Sequence, residues 1–83
     1  MIERKVTVTL EDGLESRQAA MLVQAANRYP CRIYILMEDK QVNAKSIMGI
    51  VSLGMLKDEE VILQADGPEE EACVETLAAM IGG

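Results

Sequence analysis

The chain has 83 residues and a formal net charge of −6, and 49% of its residues are apolar. This length predicts one domain, residues 1–83, with a modest hydrophobic core. The negative charge argues against nucleic acid or an acidic membrane surface as a partner, because both require a basic patch. It favours instead a protein partner that carries a basic patch of its own.

The spacing of the two cysteines and the absence of histidine argue against a metal centre. Cys31 and Cys73 lack Cys-x-x-Cys spacing and have no histidine companions, so we expect no zinc site and no cofactor. Both lie among apolar residues, which predicts buried thiols in a cytoplasmic protein. We find neither a signal-peptide pattern nor an apolar run long enough for a membrane helix.

The first half of the chain predicts a strand, a helix and a second strand. Apolar and polar residues alternate from Ile2 to Leu10, which is typical of a half-buried strand. A helix is predicted from a Ser16 cap to about Asn27. Its buried stripe at helical spacing consists of Ala19, Leu22, Val23 and Ala26. Pro30 ends this helix, and alternation predicts a strand over residues 31–37.

The second half predicts two strands and two helices. A short strand over residues 41–44 leads to Ser46, which caps a helix that ends near Gly54. A fourth strand is predicted over residues 60–66. The final helix begins with Pro68 in its first turn, followed by acidic residues that complement the helix dipole.

The predicted order of elements is β-α-β-β-α-β-α. Each strand has one apolar face and each helix one apolar stripe, so the economical arrangement buries these surfaces against each other. The expected fold class is therefore α+β, an open-faced sandwich in which three helices cover one face of a four-stranded antiparallel sheet.

Ser46 precedes more apolar residues than one short helix can bury on one side. That run comprises Ile47, Met48, Ile50, Val51 and Leu53. Two interpretations follow from the residues alone. The serine is only a cap beside core residues, or it is an accessible hydroxyl beside an exposed apolar patch. A phosphate placed there would add roughly −1.5 to −2 charges beside the helix N-terminus.

Three segments resemble the HPr family, the small phosphocarriers of the bacterial sugar phosphotransferase system. They are VNAKSIMG at residues 42–49, GLESRQAA at residues 13–20 and the Asp66-Gly67 step before the last helix. Together they cover nearly the whole chain with compatible spacing. The family's phosphoryl-accepting histidine falls at position 15, which is Glu15 here, and the chain contains no histidine.

The resemblance implies that Ser46 is a regulatory modification site. In the family, an ATP-dependent HPr kinase/phosphorylase modifies this serine, and the phosphoserine form binds a LacI-type catabolite control regulator. The residues that the resemblance assigns to partner binding are Glu15, Arg17, Ala20, Gln24, Ile47, Met48 and Val51. A chain that keeps the serine and lacks the histidine resembles the family's catabolite-repression branch, Crh, in which position 15 is glutamine.

The residues and the resemblance are compatible with three hypotheses. The chain is a non-catalytic regulatory module switched at Ser46, or a phosphocarrier that passes a phosphoryl group through the Glu15 carboxylate. The third is a constitutive interaction module in which Ser46 is only a cap. In the third, Glu15 supplies the charge. In the first, Glu15 is either a neutral replacement or a mimic of the phosphohistidine charge. Homodimerisation, including strand exchange, also remains open.

Overall fold

A computed structural model describes residues 1–10 and 16–82, without the side chain of Ser16. Over these residues the chain forms four strands and three helices in the predicted order. The elements are β1 (Ile2–Thr7), α1 (Ser16–Ala26), β2 (Arg32–Met37), β3 (Lys40–Asn43), α2 (Ile47–Leu53), β4 (Glu60–Asp66) and α3 (Glu70–Gly82). The predicted α+β class is confirmed.

The strands form one antiparallel sheet in the order β1-β4-β2-β3. Val61, Leu63 and Ala65 of β4 are buried, whereas the residues between them are half-buried. Ile35 of β2 lies directly opposite Leu63 in the register, and both are fully buried. The apolar face of the sheet therefore packs against the helices, and the opposite face is left uncovered.

The helices complete the core with aliphatic side chains. The predicted stripe of α1 is confirmed: Ala19, Leu22 and Ala26 are buried and Val23 packs against the core. Helix α3 buries five residues, which are Cys73, Val74, Leu77, Ala78 and Ile81. Burying one Leu or Ile side chain stabilises a fold by about 1.5–3 kcal/mol, so this aliphatic cluster supplies most of the driving force.

Strand β1 is shorter than the alternation predicted, since it ends at Thr7 rather than Leu10. Beyond Thr7 the backbone bonds to other partners. The Val8 N–H donates to the Glu59 carbonyl at 2.8 Å, and the Thr9 N–H donates to the Ile81 carbonyl at 3.1 Å. Val8 is nevertheless buried, which is why the apolar alternation extends past the strand.

Two helix starts differ from the predictions. Ser16 is the first residue of α1 rather than the cap before it. Helix α3 begins at Glu70, two residues after Pro68, because Glu69 has a left-handed φ of 63° that a right-handed helix cannot contain. The predicted acids do lie in its first turn, as Glu70 and Glu71. Strand β3 is also shifted by one residue, to Lys40–Asn43.

None of the three helices in the described part of the chain is long and apolar enough to span a membrane. The described residues likewise contain no group of three or more His, Cys, Asp or Glu side chains placed to hold a metal ion.

Candidate functional site

Ser46 lies between β3 and α2 and caps the helix as predicted. Its backbone is extended, with φ −110° and ψ 117°. The Ser46 hydroxyl accepts a hydrogen bond from the Gly49 N–H at 3.2 Å, and its carbonyl accepts one from the Ile50 N–H at 3.1 Å. The serine is exposed, so the hydroxyl that caps the helix also faces solvent.

The residues before Ser46 are anchored to neighbouring elements. The Ser46 N–H donates to the Asn43 carbonyl at 3.0 Å, and the Lys45 N–H donates to Asn43 Oδ1 at 2.8 Å. Lys45 Nζ donates to the Tyr29 carbonyl at 2.7 Å, beyond the end of α1. These bonds fix the position of the serine between the sheet and the end of α1.

Helix α2 has an exposed apolar surface, which we call the α2 surface and define as Ile47, Met48 and Val51. Their exposed fractions are 41%, 80% and 48%. Ile50 and Leu53 of the same helix are buried. The expectation that part of this apolar run stays in solvent is confirmed, because a helix of seven residues has only one face toward the core.

Gly49 allows the first turn of α2 to lie close to β3. A Cβ at Gly49 would lie 3.3 Å from the Val42 Cβ and 3.5 Å from the Asn43 carbonyl oxygen. The Ser52 hydroxyl donates to the Gly49 carbonyl at 2.9 Å, so α2 contains a second exposed and bonded hydroxyl.

The remaining residues of the predicted site belong to α1 or precede it. Arg17 and Gln24 are exposed and Ala20 is half-buried. Helix α1 contacts α2, so these residues lie on the helix next to the one that Ser46 caps. Glu15 lies outside the described residues. The structure therefore brings together Ser46 and the α2 surface, whereas the roles proposed for Glu15, Arg17, Ala20 and Gln24 remain predictions.

Two residues that position Ser46 were not among the predicted site residues. Asn43 has a recognisable signal, because Asn side chains commonly bond the backbone two residues later. Lys45 has none, since its bond to the Tyr29 carbonyl joins residues 16 positions apart. Only the packing of α1 against the β3–α2 connection reveals this contact.

The Ser46 hydroxyl is exposed, and no histidine in the chain can activate it. A serine nucleophile requires an adjacent base, and histidine is absent from the chain. The hydrogen bond described for the Ser46 hydroxyl comes from a backbone N–H, which does not remove a proton. The exposed hydroxyl is suited to modification by a separate enzyme, and the apolar side chains beside it are suited to protein contact.

The fold and this site together define a class of protein. A family model described as "PTS HPr component phosphorylation site" matches residues 2–82. The chain belongs to the HPr family. Within that family it is similar to the HPr-like protein Crh of Bacillus subtilis, with 44% identity over 81 residues, which cover 98% of this chain and 95% of that protein. The resemblance found in the sequence is thereby confirmed.

Solved structures show the same relationship. The crystal structure of the phosphocarrier protein HPr from Bacillus anthracis matches with a TM-score of 0.94 and 41% identity, covering 96% of this chain and 95% of that one. The crystal structure of Bacillus subtilis Crh matches with a TM-score of 0.77 and 45% identity, covering 96% and 92%. That Crh structure is described as a dimer with a swapping domain.

Proposed function

We propose that this protein is a regulatory binding module in which phosphorylation of Ser46 switches docking to a transcriptional regulator of carbon catabolite control. The observation that carries the proposal is the exposed Ser46 hydroxyl next to the exposed α2 surface. Similarity to Crh and the lack of histidine support it. On this proposal the protein acts by binding rather than by catalysis, in the cytoplasm.

The proposed switch is a change of charge at the edge of an apolar contact. Phosphorylation would add roughly −1.5 to −2 charges and strong hydrogen-bond acceptors beside Ile47 and Met48. A partner with a basic residue opposite the phosphate would gain charge-assisted bonds while it buries the α2 surface. The net charge of −6 already favours such a basic partner.

The partners proposed from the family are an HPr kinase/phosphorylase, which modifies Ser46, and a LacI-type catabolite control regulator, which binds the product. Arg17, exposed on α1, would act as a charged anchor at the rim of the contact. Glu15, Ala20 and Gln24 complete the proposed rim.

The first test is intact-mass spectrometry after incubation with ATP and an HPr kinase/phosphorylase. The wild type is expected to gain one phosphate, and Ser46→Ala none. Ser52→Ala is the matched control, because it removes the other exposed hydroxyl of α2 and should be modified like the wild type. An unmodified wild type, under conditions in which a histidine-bearing HPr is modified, would contradict the proposal.

The second test measures binding of the phosphorylated protein to the regulator. Met48→Ala should weaken binding by about tenfold or more, because a large exposed side chain at the centre of a contact is a typical energetic anchor. Leu36→Ala is the control, since Leu36 lies on the uncovered face of the sheet, away from α2. Equal affinities of the phosphorylated and unphosphorylated wild type would favour constitutive docking instead.

We further propose that the chain forms a homodimer by exchanging β1. The swapped Crh dimer suggests an exchange, and β1 is the segment that we assign to it. Strand β1 lies at the edge of the sheet and contacts β4 and α3. Exchange would form the same contacts between two chains instead of within one, at little energetic cost. Native mass spectrometry over a range of protein concentrations tests this, and a monomer at every concentration would refute it.

A further inference from the structure

The two cysteines of the chain have no role in the proposed switch, although both are close to the same junction of the fold. Cys31 is 2% exposed and Cys73 is fully buried, and both are free thiols. The prediction of buried thiols is therefore confirmed. Their positions relative to each other give them a chemistry that neither would have alone.

The backbone brings both residues to the connection between β4 and α3. Arg32 pairs with Asp66, so Cys31 stands opposite Gly67 at the end of the sheet. A Cβ on Gly67 would lie 3.2 Å from the Cα of Cys31. Cys73 is in the first turn of α3, where its N–H donates to the Glu69 carbonyl at 3.0 Å.

The two thiols are within hydrogen-bonding reach of each other. Burial, followed by a hydrogen bond with Cys31, raises the pKa of the Cys73 thiol to about 12, although the Lys45 ammonium opposes the rise. Cys73 is therefore protonated at neutral pH and lies against a second sulfur. Two thiols placed next to each other are the arrangement from which a sulfur–sulfur bond can form.

We propose that Cys31 and Cys73 are a redox-active pair that closes into an intramolecular disulfide when the protein meets a peroxide. This site does not depend on the function proposed for Ser46. The disulfide would tie the start of β2 to the first turn of α3, across the β4–α3 connection.

The reaction requires two steps and hydrogen peroxide as the oxidant. The Cys31 thiolate attacks one peroxide oxygen, the O–O bond breaks, and the departing hydroxide takes a proton to become water. Cys31 is thereby oxidised by two electrons to a sulfenic acid. The Cys73 sulfur then attacks the Cys31 sulfur, the S–O bond breaks, and the Cys73 proton leaves with the hydroxide as a second water. Cys31 reacts first because it keeps 2% exposure and its chain neighbours Pro30 and Arg32 are exposed, whereas Cys73 is fully buried.

The pair borders the segment that carries Ser46. Tyr29 lies two residues before Cys31, and its carbonyl accepts a hydrogen bond from the Lys45 ammonium. The Tyr29 hydroxyl forms a hydrogen bond with Thr76 of α3 at 2.8 Å. A disulfide at Cys31 would add a covalent link to this same bridge between the Ser46 segment and α3. We therefore expect oxidation to make the segment that carries Ser46 more rigid and to leave the α2 surface unchanged.

Peroxide treatment of the folded wild type at neutral pH, followed by thiol titration in denaturant, tests the proposal. The titre is expected to fall from two thiols per chain to none, with the loss of two hydrogen atoms in intact mass. Trypsin should then release residues 29–32 joined to residues 58–83, and a reductant should separate them. The melting temperature of the oxidised chain should rise by about 10 °C or more, because the disulfide closes a long loop.

The variants Cys31→Ala and Cys73→Ala are the matched controls, and neither can yield the joined peptides. Oxidation of methionine adds oxygen and leaves the thiol titre unchanged, so it does not confuse the result. Two free thiols per chain after treatment of the folded wild type would overturn the proposal. Joined peptides that form only in urea would also overturn it. Both outcomes are measured on the wild type, so they hold even if a variant fails to fold.

Discussion

At the residue scale, the two-residue turn between β2 and β3 carries a conformational strain that its sequence does not reveal. Glu38 has a left-handed φ of 58°, at the first turn position, where glycine is favoured in hairpins. A side chain at positive φ costs roughly 1–2 kcal/mol, and glycine avoids this cost at the expense of a more flexible unfolded chain.

Glu38→Gly is therefore expected to raise the free energy of unfolding by about 0.5–1 kcal/mol, measured by urea denaturation. Asp39→Gly is the matched control, because Asp39 is not among the described residues with positive φ. That variant should be neutral or destabilised, since it only adds freedom to the unfolded chain. A stabilised Asp39→Gly together with an unchanged Glu38→Gly would contradict this explanation.

Stability above neutral pH should depend on Cys73. Its pKa is raised to about 12 in the folded protein from the ordinary 9.0, chiefly by burial. Between these values the unfolded chain has released the thiol proton and the folded chain has kept it, so the free energy of unfolding falls as pH rises. Urea denaturation of the reduced protein from pH 8 upward should show this decline, and Cys73→Ala should show a shallower one. Equal slopes in the two proteins would contradict this assignment.

At the element scale, β4 and α2 are each followed by a glycine with positive φ. The two glycines differ in the space available for an added side chain. Gly67 has φ 130° and its added Cβ would lie 3.2 Å from the backbone of Cys31. Gly54, which ends α2 with φ 68° and ψ 43°, has no atom within 4 Å of an added Cβ.

Gly67→Ala should thus destabilise the protein by about 2–3 kcal/mol, because strain and a backbone contact add together. Gly54→Ala should cost only about 1 kcal/mol, since the left-handed conformation is its only penalty. Thermal unfolding of the two variants side by side checks the ranking. If Gly54→Ala loses as much stability as Gly67→Ala or more, the contact with Cys31 does not add to the cost of the Gly67 substitution.

At the scale of the whole molecule, stability comes from a sheet that is covered on one side. Leu63 points to the helices and is fully buried, whereas its neighbour Ile62 is half-buried on the uncovered face. The two side chains differ in environment although they follow each other in the central strand β4.

Leu63→Ala is expected to cost about 2–5 kcal/mol, a large part of the stability of a small domain, because it leaves a cavity against Ile35. Ile62→Ala should cost about 1 kcal/mol, since water already reaches that side chain. Chemical denaturation of both variants measures the difference. Similar losses would show that the uncovered face is buried in solution, as it would be in an oligomer.

Most of the architecture followed from periodicity in the sequence. The sequence pattern located the strands, and every second residue of β4, namely Val61, Leu63 and Ala65, is buried. The errors fall at element ends, where pairing rather than pattern decides. The apolar pattern continues to Leu10, but β1 ends at Thr7. The next N–H groups donate to carbonyls of the loop before β4 and of α3 instead of pairing with a strand.

The sequence by itself determined the serine cap, the excess of apolar residues in α2 and the lack of a phosphoryl-accepting histidine, since each is a property of residue type and local spacing. The tertiary structure alone decided which of those apolar residues remain in solvent, how Lys45 anchors the serine, and that Cys31 meets Cys73. These are contacts between residues distant in the chain. No local pattern encodes them, because they depend on how α1, α3 and the sheet pack together.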